Sequence, residues 1–194
     1  GFRGDTVAYY DSENSFLNRV MERRRGIPIT LAVLMIEVGR YAGITLEGIG
    51  MPGHFLVRSP GAGVYIDPFD RGEILDERGC EHRFRASFGA GEEVAFGPEM
   101  LPVVSKRDIL RRMLTNLQQI YRGESGGEEL EWITRMKLAL PGTPAGDVIV
   151  LAESLARQGR TTEAASEIES AAALHPELDE QLRGVANAMR ASLN

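Results

Sequence analysis

The stretch PITLAVLMIEVGRYAGITLEGIGMPGHFLVRSPGAGVYIDP, residues 28–68, decides the fold. Pro28 suits the first position of a helix, where its missing N–H costs nothing. Residues 29–42 are apolar on nearly every face, which predicts a central, buried helix, and Gly43 stops it. Three strand-like runs follow: Ile44 to Met51, Phe55 to Arg58, and Val64 to Asp67. The turns between them are Pro52-Gly53 and Gly61-Ala62-Gly63. Turns this short imply antiparallel neighbours. A buried helix followed by an antiparallel meander predicts an α+β domain.

Upstream, Asn14 or Ser15 is placed to cap a helix through Phe16, Leu17, Val20 and Met21. That helix ends in Arg23-Arg24-Arg25-Gly26. Cations there suit the helix dipole, and Gly26 is expected to take the left-handed stop conformation. In an acidic chain the arginine run reads as a solvated helix end in preference to a phosphate-binding patch.

Downstream, Glu73 to Phe88 has room for a short helix, and Gly89 to Pro102 reads as a loop with room for one strand. Ser105-Lys106-Arg107-Asp108 resembles a capping box with Asp in place of Glu or Gln. It opens a helix with Ile109, Leu110, Met113, Leu114, Leu117 and Tyr121 on one face. A break at Arg122 to Gly127 precedes an amphipathic helix, Glu128 to Leu140, on which Trp132, Met136 and Leu140 are expected in the core. From about residue 145 the pattern changes. Leu151, Ala152, Leu155, Gly159, Ala164, Ile168, Ala171 and Pro176 fall at the small, large and turn positions of one tetratricopeptide unit, over about 145–178. One 34-residue period earlier, Leu117 and Tyr121 match the large positions of a degenerate unit. Leu178 to Leu193 reads as a capping helix, with Leu182, Val185, Ala186 and Met189 inward. The predicted organisation is therefore an α+β domain over 1–104 and an all-helical tail over 105–194.

The whole chain has 194 residues and a net charge of -6, which argues against a nucleic-acid binder held by phosphate neutralisation. Its single cysteine, Cys80, excludes an intrachain disulfide framework and a multi-cysteine zinc site. The longest apolar run, Leu31 to Ile36, ends at Glu37, too short to span a membrane. Gly1 to Asp11 lacks the apolar core of a signal peptide. A reducing, cytoplasmic setting is the expectation.

The chemistry centres on two residues. His54 opens the second strand and Asp67 closes the third, 13 residues on. In a hairpin turning near residues 60–63 they face each other at one end of the sheet. A carboxylate that fixes the tautomer of an imidazole is half of a nucleophilic triad. Other candidates carry less. His82 and His175 have no partners at metal-ligand spacing. The acidic stretch Asp67, Asp70, Glu73, Asp76, Glu77 lacks the glycine and alternation of a calcium loop. No metal and no cofactor is expected. Asn14, Asn18 and Arg24 read as buried polar ties between the first helix and the sheet.

Helix, strand, strand opening with His, strand ending in Asp-Pro resembles the chain order of the transglutaminase-like (papain-related) fold. More closely, residues 9–58 and YIDPFDRG (65–72) resemble the bacterial SirB-type transglutaminase-like proteins, as do SKRDILRRMLTNLQQIYR (105–122) and the tetratricopeptide-like tail. The motifs NSFLN (14–18), RRGIPI (24–29), PGHFLVR (52–58) and IDPF (66–69) carry the resemblance, which covers nearly the whole chain. Members of that family carry a helical stretch before the YYD motif, so part of the native N-terminus is expected to be missing.

In active transglutaminase-like enzymes a Cys opens the buried helix, where the dipole lowers its pKa, and the His takes its proton. The resemblance implies that His54 and Asp67 match the His and Asp of that triad. The Cys position falls near Pro28 to Thr30, where no cysteine stands. The SirB-type family shares this departure. Thr30 is the nearest hydroxyl and the weak candidate substitute nucleophile, with a backbone bond or core packing the preferred account of it. Cys80 follows Asp67 and so breaks the usual Cys, His, Asp order; a buried structural thiol is the expectation.

These readings predict a non-catalytic module that uses a former active cleft to bind a protein or peptide. Two alternatives stand beside it. One is a hydrolase or acyltransferase using His54, Asp67 and Thr30 or Cys80. The other is an interaction adaptor working through the helical tail. Neither nucleic acid nor membrane is expected as a partner, and the oligomeric state is left open.

Overall fold

A computed structural model describes residues 1–88, 95–123, 127–142, 144, 146–174 and 182–187. The chain runs from strand β1 (Arg3–Gly4) through a 3-10 turn at Ser12–Asn14, helix α1 (Leu17–Arg23) and strand β2 (Arg25–Gly26) into helix α2 (Pro28–Tyr41). Strands β3 (Glu47–Ile49), β4 (Leu56–Ser59), β5 (Val64–Asp67) and β6 (Glu73–Leu75) follow. Helix α3 (Glu77–Phe88), a 3-10 turn at Pro98–Met100, and helices α4 (Lys106–Gly123), α5 (Gly127–Leu138), α6 (Asp147–Arg157) and α7 (Thr161–Leu174) complete the order. Two compact units divide the chain, Gly1–Met113 and Leu114–Asn194.

The first unit is built on the antiparallel sheet β3-β4-β5-β6. Its register pairs Val57 with Ile66 and Arg58 with Tyr65. Side chains alternate between faces with period two. Phe55, Val57 and Ile66 join Ile27, Ile29 and Ala32 at the start of α2. Leu56, Tyr65 and Leu75 join Cys80 and Phe84 of α3 on the other side. Helix, sheet and helix are thus three layers, and each fully buried aliphatic or aromatic side chain contributes about 1.5–3 kcal/mol. The meander and its antiparallel sense match the expectation.

Several local details differ from expectation. Asp11, not Asn14 or Ser15, caps the 3-10 turn by accepting from the Glu13 amide, and α1 begins at Leu17 after Phe16 with no side-chain cap. The left-handed stop falls on Arg24, at φ 55°, because Gly26 is committed to β2. There is no room for a side chain at Gly26: a Cβ would lie 2.8 Å from Thr30 Oγ1. Strand β6 escaped notice because its only strand-like residues, Ile74 and Leu75, sit between acidic neighbours. Helix α2 is buried over Pro28 to Ala32, but Val38 and Tyr41 near its end are exposed. The sheet covers only its first turns. An isolated antiparallel bridge joins Ile49 to Val103, just past the Gly89 to Pro102 stretch in which a strand had room. The Ser105 hydroxyl accepts from the Asp108 amide at 3.2 Å, as the capping box requires.

In the second unit, Val148, Leu151, Leu155, Ala164, Ile168 and Leu182 form the core. Ala152 and Ala164 are fully buried where α6 meets α7, and Gly159, at φ 77°, makes the turn between those helices. Residues 182–187 are helical, with Leu182 and Ala186 buried, whereas Pro176 and the rest of the expected capping helix lie outside the described residues. Trp132 is a correction: it is 39% exposed, and Leu130 and Ile133 are buried instead. Helix α5 turns this other face inward because Thr134 and Lys137 belong to a buried polar cluster. Lys137 Nζ donates to Asp147 Oδ1 and to Gln118 Oε1, both at 3.0 Å, and Thr134 Oγ1 donates to the Leu130 carbonyl at 2.7 Å.

Candidate functional site

The end of the sheet carries the candidate chemistry. Residues 51–54 make a tight turn in which the His54 amide donates to the Met51 carbonyl at 3.1 Å. Pro52 presets one turn position, and Gly53, at φ 73°, supplies the left-handed one. The turn delivers His54 two residues ahead of β4. Asp67 is the last residue of β5, beside it in the hairpin. At the far end, the Gly63 amide closes the turn onto the Ser59 carbonyl at 2.9 Å.

His54 Nε2 and Asp67 Oδ2 are 2.9 Å apart. An ionised carboxylate only accepts, so Nε2 carries the hydrogen of this bond. Asp67 is almost wholly buried, 1% exposed at its side chain, against 13% for His54. Its other oxygen accepts from the amides of Phe69 at 3.0 Å and Asp70 at 3.3 Å. Arg83 Nε stands 3.4 Å from Oδ2 and its Nη2 donates to Asp70 and Glu73. Burial disfavours the charged form of Asp67. The hydrogen bond and charge of His54, with the Asp70 amide and Arg83, outweigh it and hold the carboxyl below its ordinary range. Phe69 meets the imidazole edge to face, with ring centroids 6.0 Å apart, and Tyr9 packs on the other side of this aromatic run.

Arg112 is the residue that sequence reasoning missed. From α4 its guanidinium donates to the carbonyls of Met51 and His54, the two ends of the histidine-bearing turn. It also lies over the Phe55 ring at 5.3 Å. Burial opposes its charge, and the nearby Tyr9 favours it. Its only signal in the sequence is a cation on the sheet-facing side of an amphipathic helix, between Ile109 and Met113.

The other candidates lie elsewhere. Thr30 is fully buried in the first turn of α2, and its hydroxyl bridges the carbonyls of Asn14 at 2.9 Å and Ile27 at 3.0 Å. Its one hydrogen is committed to backbone. Cys80 is buried on the α3 side of the sheet, where burial first, then Asp76, Glu77 and Asp67, pushes its thiol up to about 11. Neither group has the exposure or the acidity of an activated nucleophile. His82 is exposed, and His175 lies outside the described residues. Among the described residues no three His, Cys, Asp or Glu side chains cluster as metal ligands, and no helix is long and apolar enough to cross a membrane. A cavity of about 640 Å³ is lined by Arg58, Tyr65, Asp76 and Arg78 and does not include His54.

Comparisons with known proteins give the family. A family model described as the transglutaminase-like superfamily matches residues 1–115. A UPF0162 protein of Xylella fastidiosa is 45% identical over 125 residues, which cover 62% of this chain and 44% of the relative. A UPF0162 protein of Pseudomonas aeruginosa is 30% identical over 146 residues, 75% of this chain and 52% of its own. F-box only protein 21 of Mus musculus is 32% identical over 133 residues, 63% of this chain and 20% of its own. The chain therefore spans about half the length, or less, of these curated relatives. No solved structure matches.

Proposed function

Because this chain belongs to the transglutaminase-like superfamily, we propose that it is a non-catalytic member that binds a protein or peptide segment at the former active cleft. The observation that carries this reading is the contrast at one end of the sheet. The His54–Asp67 bond is intact at 2.9 Å. The start of α2, where the family's sulfur would stand, offers only Pro28, Ile29 and a backbone-bonded Thr30. A buried Cys80, pushed up to about 11, does not substitute for it. Without a nucleophile, an oriented imidazole is a hydrogen-bonding group and a shaped surface. The presence of a matching region as a fifth of F-box only protein 21 supports a module that serves within larger assemblies.

The finer assignments belong to the same proposal. The motifs around residues 14–29 and 52–69 support the SirB-type subgroup. The buried alanines of α6 and α7, with the left-handed Gly159, support a tetratricopeptide-type pair. One free, buried cysteine fits a reducing cytoplasm.

The test is a panel of peptide and amide substrates assayed for hydrolysis and amide transfer. No turnover above a His54→Ala control is expected. Robust turnover that His54→Ala abolishes would overturn the proposal and restore a hydrolase or acyltransferase.

A further inference from the structure

Three arginines line one cavity. Strand β1 pairs in parallel with β2, and the register sets Arg3 beside Arg25. Like charges side by side on paired strands repel and cost stability. A third arginine, Arg71, lines the same cavity, of about 340 Å³, together with the apolar Phe69. Arg71 adopts φ 56°, a conformation uncommon for a residue with a side chain. Among the described residues, none of the three makes an ion pair.

Two carboxylates also line the cavity, each with partners of its own, and the Arg25 charge acts on Asp5 as well. Asp5 accepts from the amides of Val7 and Ala8 and pairs with Arg23. Asp70 is held by Arg83 at 2.5 Å. Three guanidinium groups thus line the cavity with no ion pair of their own among the described residues, on a chain whose net charge is -6. Guanidinium groups gathered in one concavity suit anionic oxygens, which they bind through paired N–H donors. The volume lies at the small end of ligand pockets.

The position selects the ligand class. Phe69 lines this cavity and also meets the His54 ring edge to face. A peptide lying past His54 therefore brings a neighbouring side chain to the arginines. We propose that this cavity is a specificity pocket for Asp or Glu side chains of a bound peptide. The direction of that peptide rests on the binding reading above; the pocket itself does not.

The test uses the full chain and fluorescein-labelled hexaglutamate, with hexaglutamine as the uncharged probe, followed by fluorescence anisotropy at about 50 mM salt. Hexaglutamate is expected to bind and hexaglutamine not to. The double variant Arg3→Gln, Arg25→Gln is expected to weaken hexaglutamate about tenfold or more while its melting temperature stays level or rises, since a repulsion is removed. Arg78→Gln, in a different cavity, is the control and is expected to leave affinity within about twofold. Equal binding of both probes, or unchanged affinity in the double variant, would overturn the pocket. Inorganic pyrophosphate displacing the peptide at far lower concentration than free glutamate oligomers would overturn the ligand class in favour of a phosphoryl group. Substrate turnover, which would sink the non-catalytic reading, leaves these outcomes untouched, so the two failures are distinguishable.

Discussion

Arg112 donates to the main-chain carbonyl of His54 at 2.8 Å, across a sequence separation of 58 residues. With its bonds to Met51 it fastens both ends of the turn that presents the imidazole. The aim of His54 is therefore set as much by α4 as by the sheet. Removing the guanidinium leaves two carbonyls without their donor. Arg112→Ala is expected to cost about 2–4 kcal/mol in urea unfolding, and Arg112→Lys less, because an ammonium cannot span both carbonyls with a planar fork. Faster amide exchange at His54 in Arg112→Ala would mark the loosened turn.

Asp67 gives the protein an acid-sensitive element. Its carboxyl lies below the ordinary range in the folded chain. Its ionisation therefore favours folding above the unfolded value, and the gain is lost as pH falls through the lowered native one. The stability gap between wild type and Asp67→Asn is expected to shrink as pH falls from about 5 towards about 2. Urea midpoints measured across that range check it. A gap that widens on acidification would refute the sign.

Cys80 is expected to be inert in the folded state. With its thiol pushed up to about 11, only about one molecule in ten thousand is thiolate at pH 7. Iodoacetamide labelling should be slow in buffer and fast in denaturing urea. Rapid native labelling that His54→Ala suppresses would instead reveal an activated thiol.

The buried pair Lys137–Asp147 anchors the second unit at 3.0 Å, with side chains 8% and 12% exposed. Lys137→Met strands the Asp147 charge and is expected to cost about 3–5 kcal/mol. Lys137→Met with Asp147→Leu is expected to recover most of that loss, since neither charge is then left alone. Thermal melts of the single and double variants decide it.

The apolar run of α2 and turn chemistry made the helix and meander legible, because β3, β4 and β5 are separated by turns built from Pro52-Gly53 and Gly61-Ala62-Gly63. The juxtaposition of His54 and Asp67 followed from that hairpin alone. Strand β6 was not legible, since Glu73-Ile74-Leu75 forms a strand only by pairing with β5. Arg24 as the left-handed residue was hidden because Gly26 two positions on is the better local candidate; tertiary pairing with Arg3–Gly4 claims that glycine instead. Trp132 misled because two overlapping apolar stripes run along α5, and the polar partners Gln118 and Asp147 choose between them. Arg112 and the arginine cavity are long-range arrangements that no local pattern encodes.

The spacing of the contacts also sets an order of assembly. The His54–Asp67 bond closes over 13 residues, inside a meander of adjacent strands. The Arg3–Arg25 pairing and the Arg112 clasp join segments more widely separated along the chain. Short loops close fastest, so the meander has a head start. Imidazole and carboxylate would be mated early in folding, with the α4 clasp tightening the turn only as the last piece arrives.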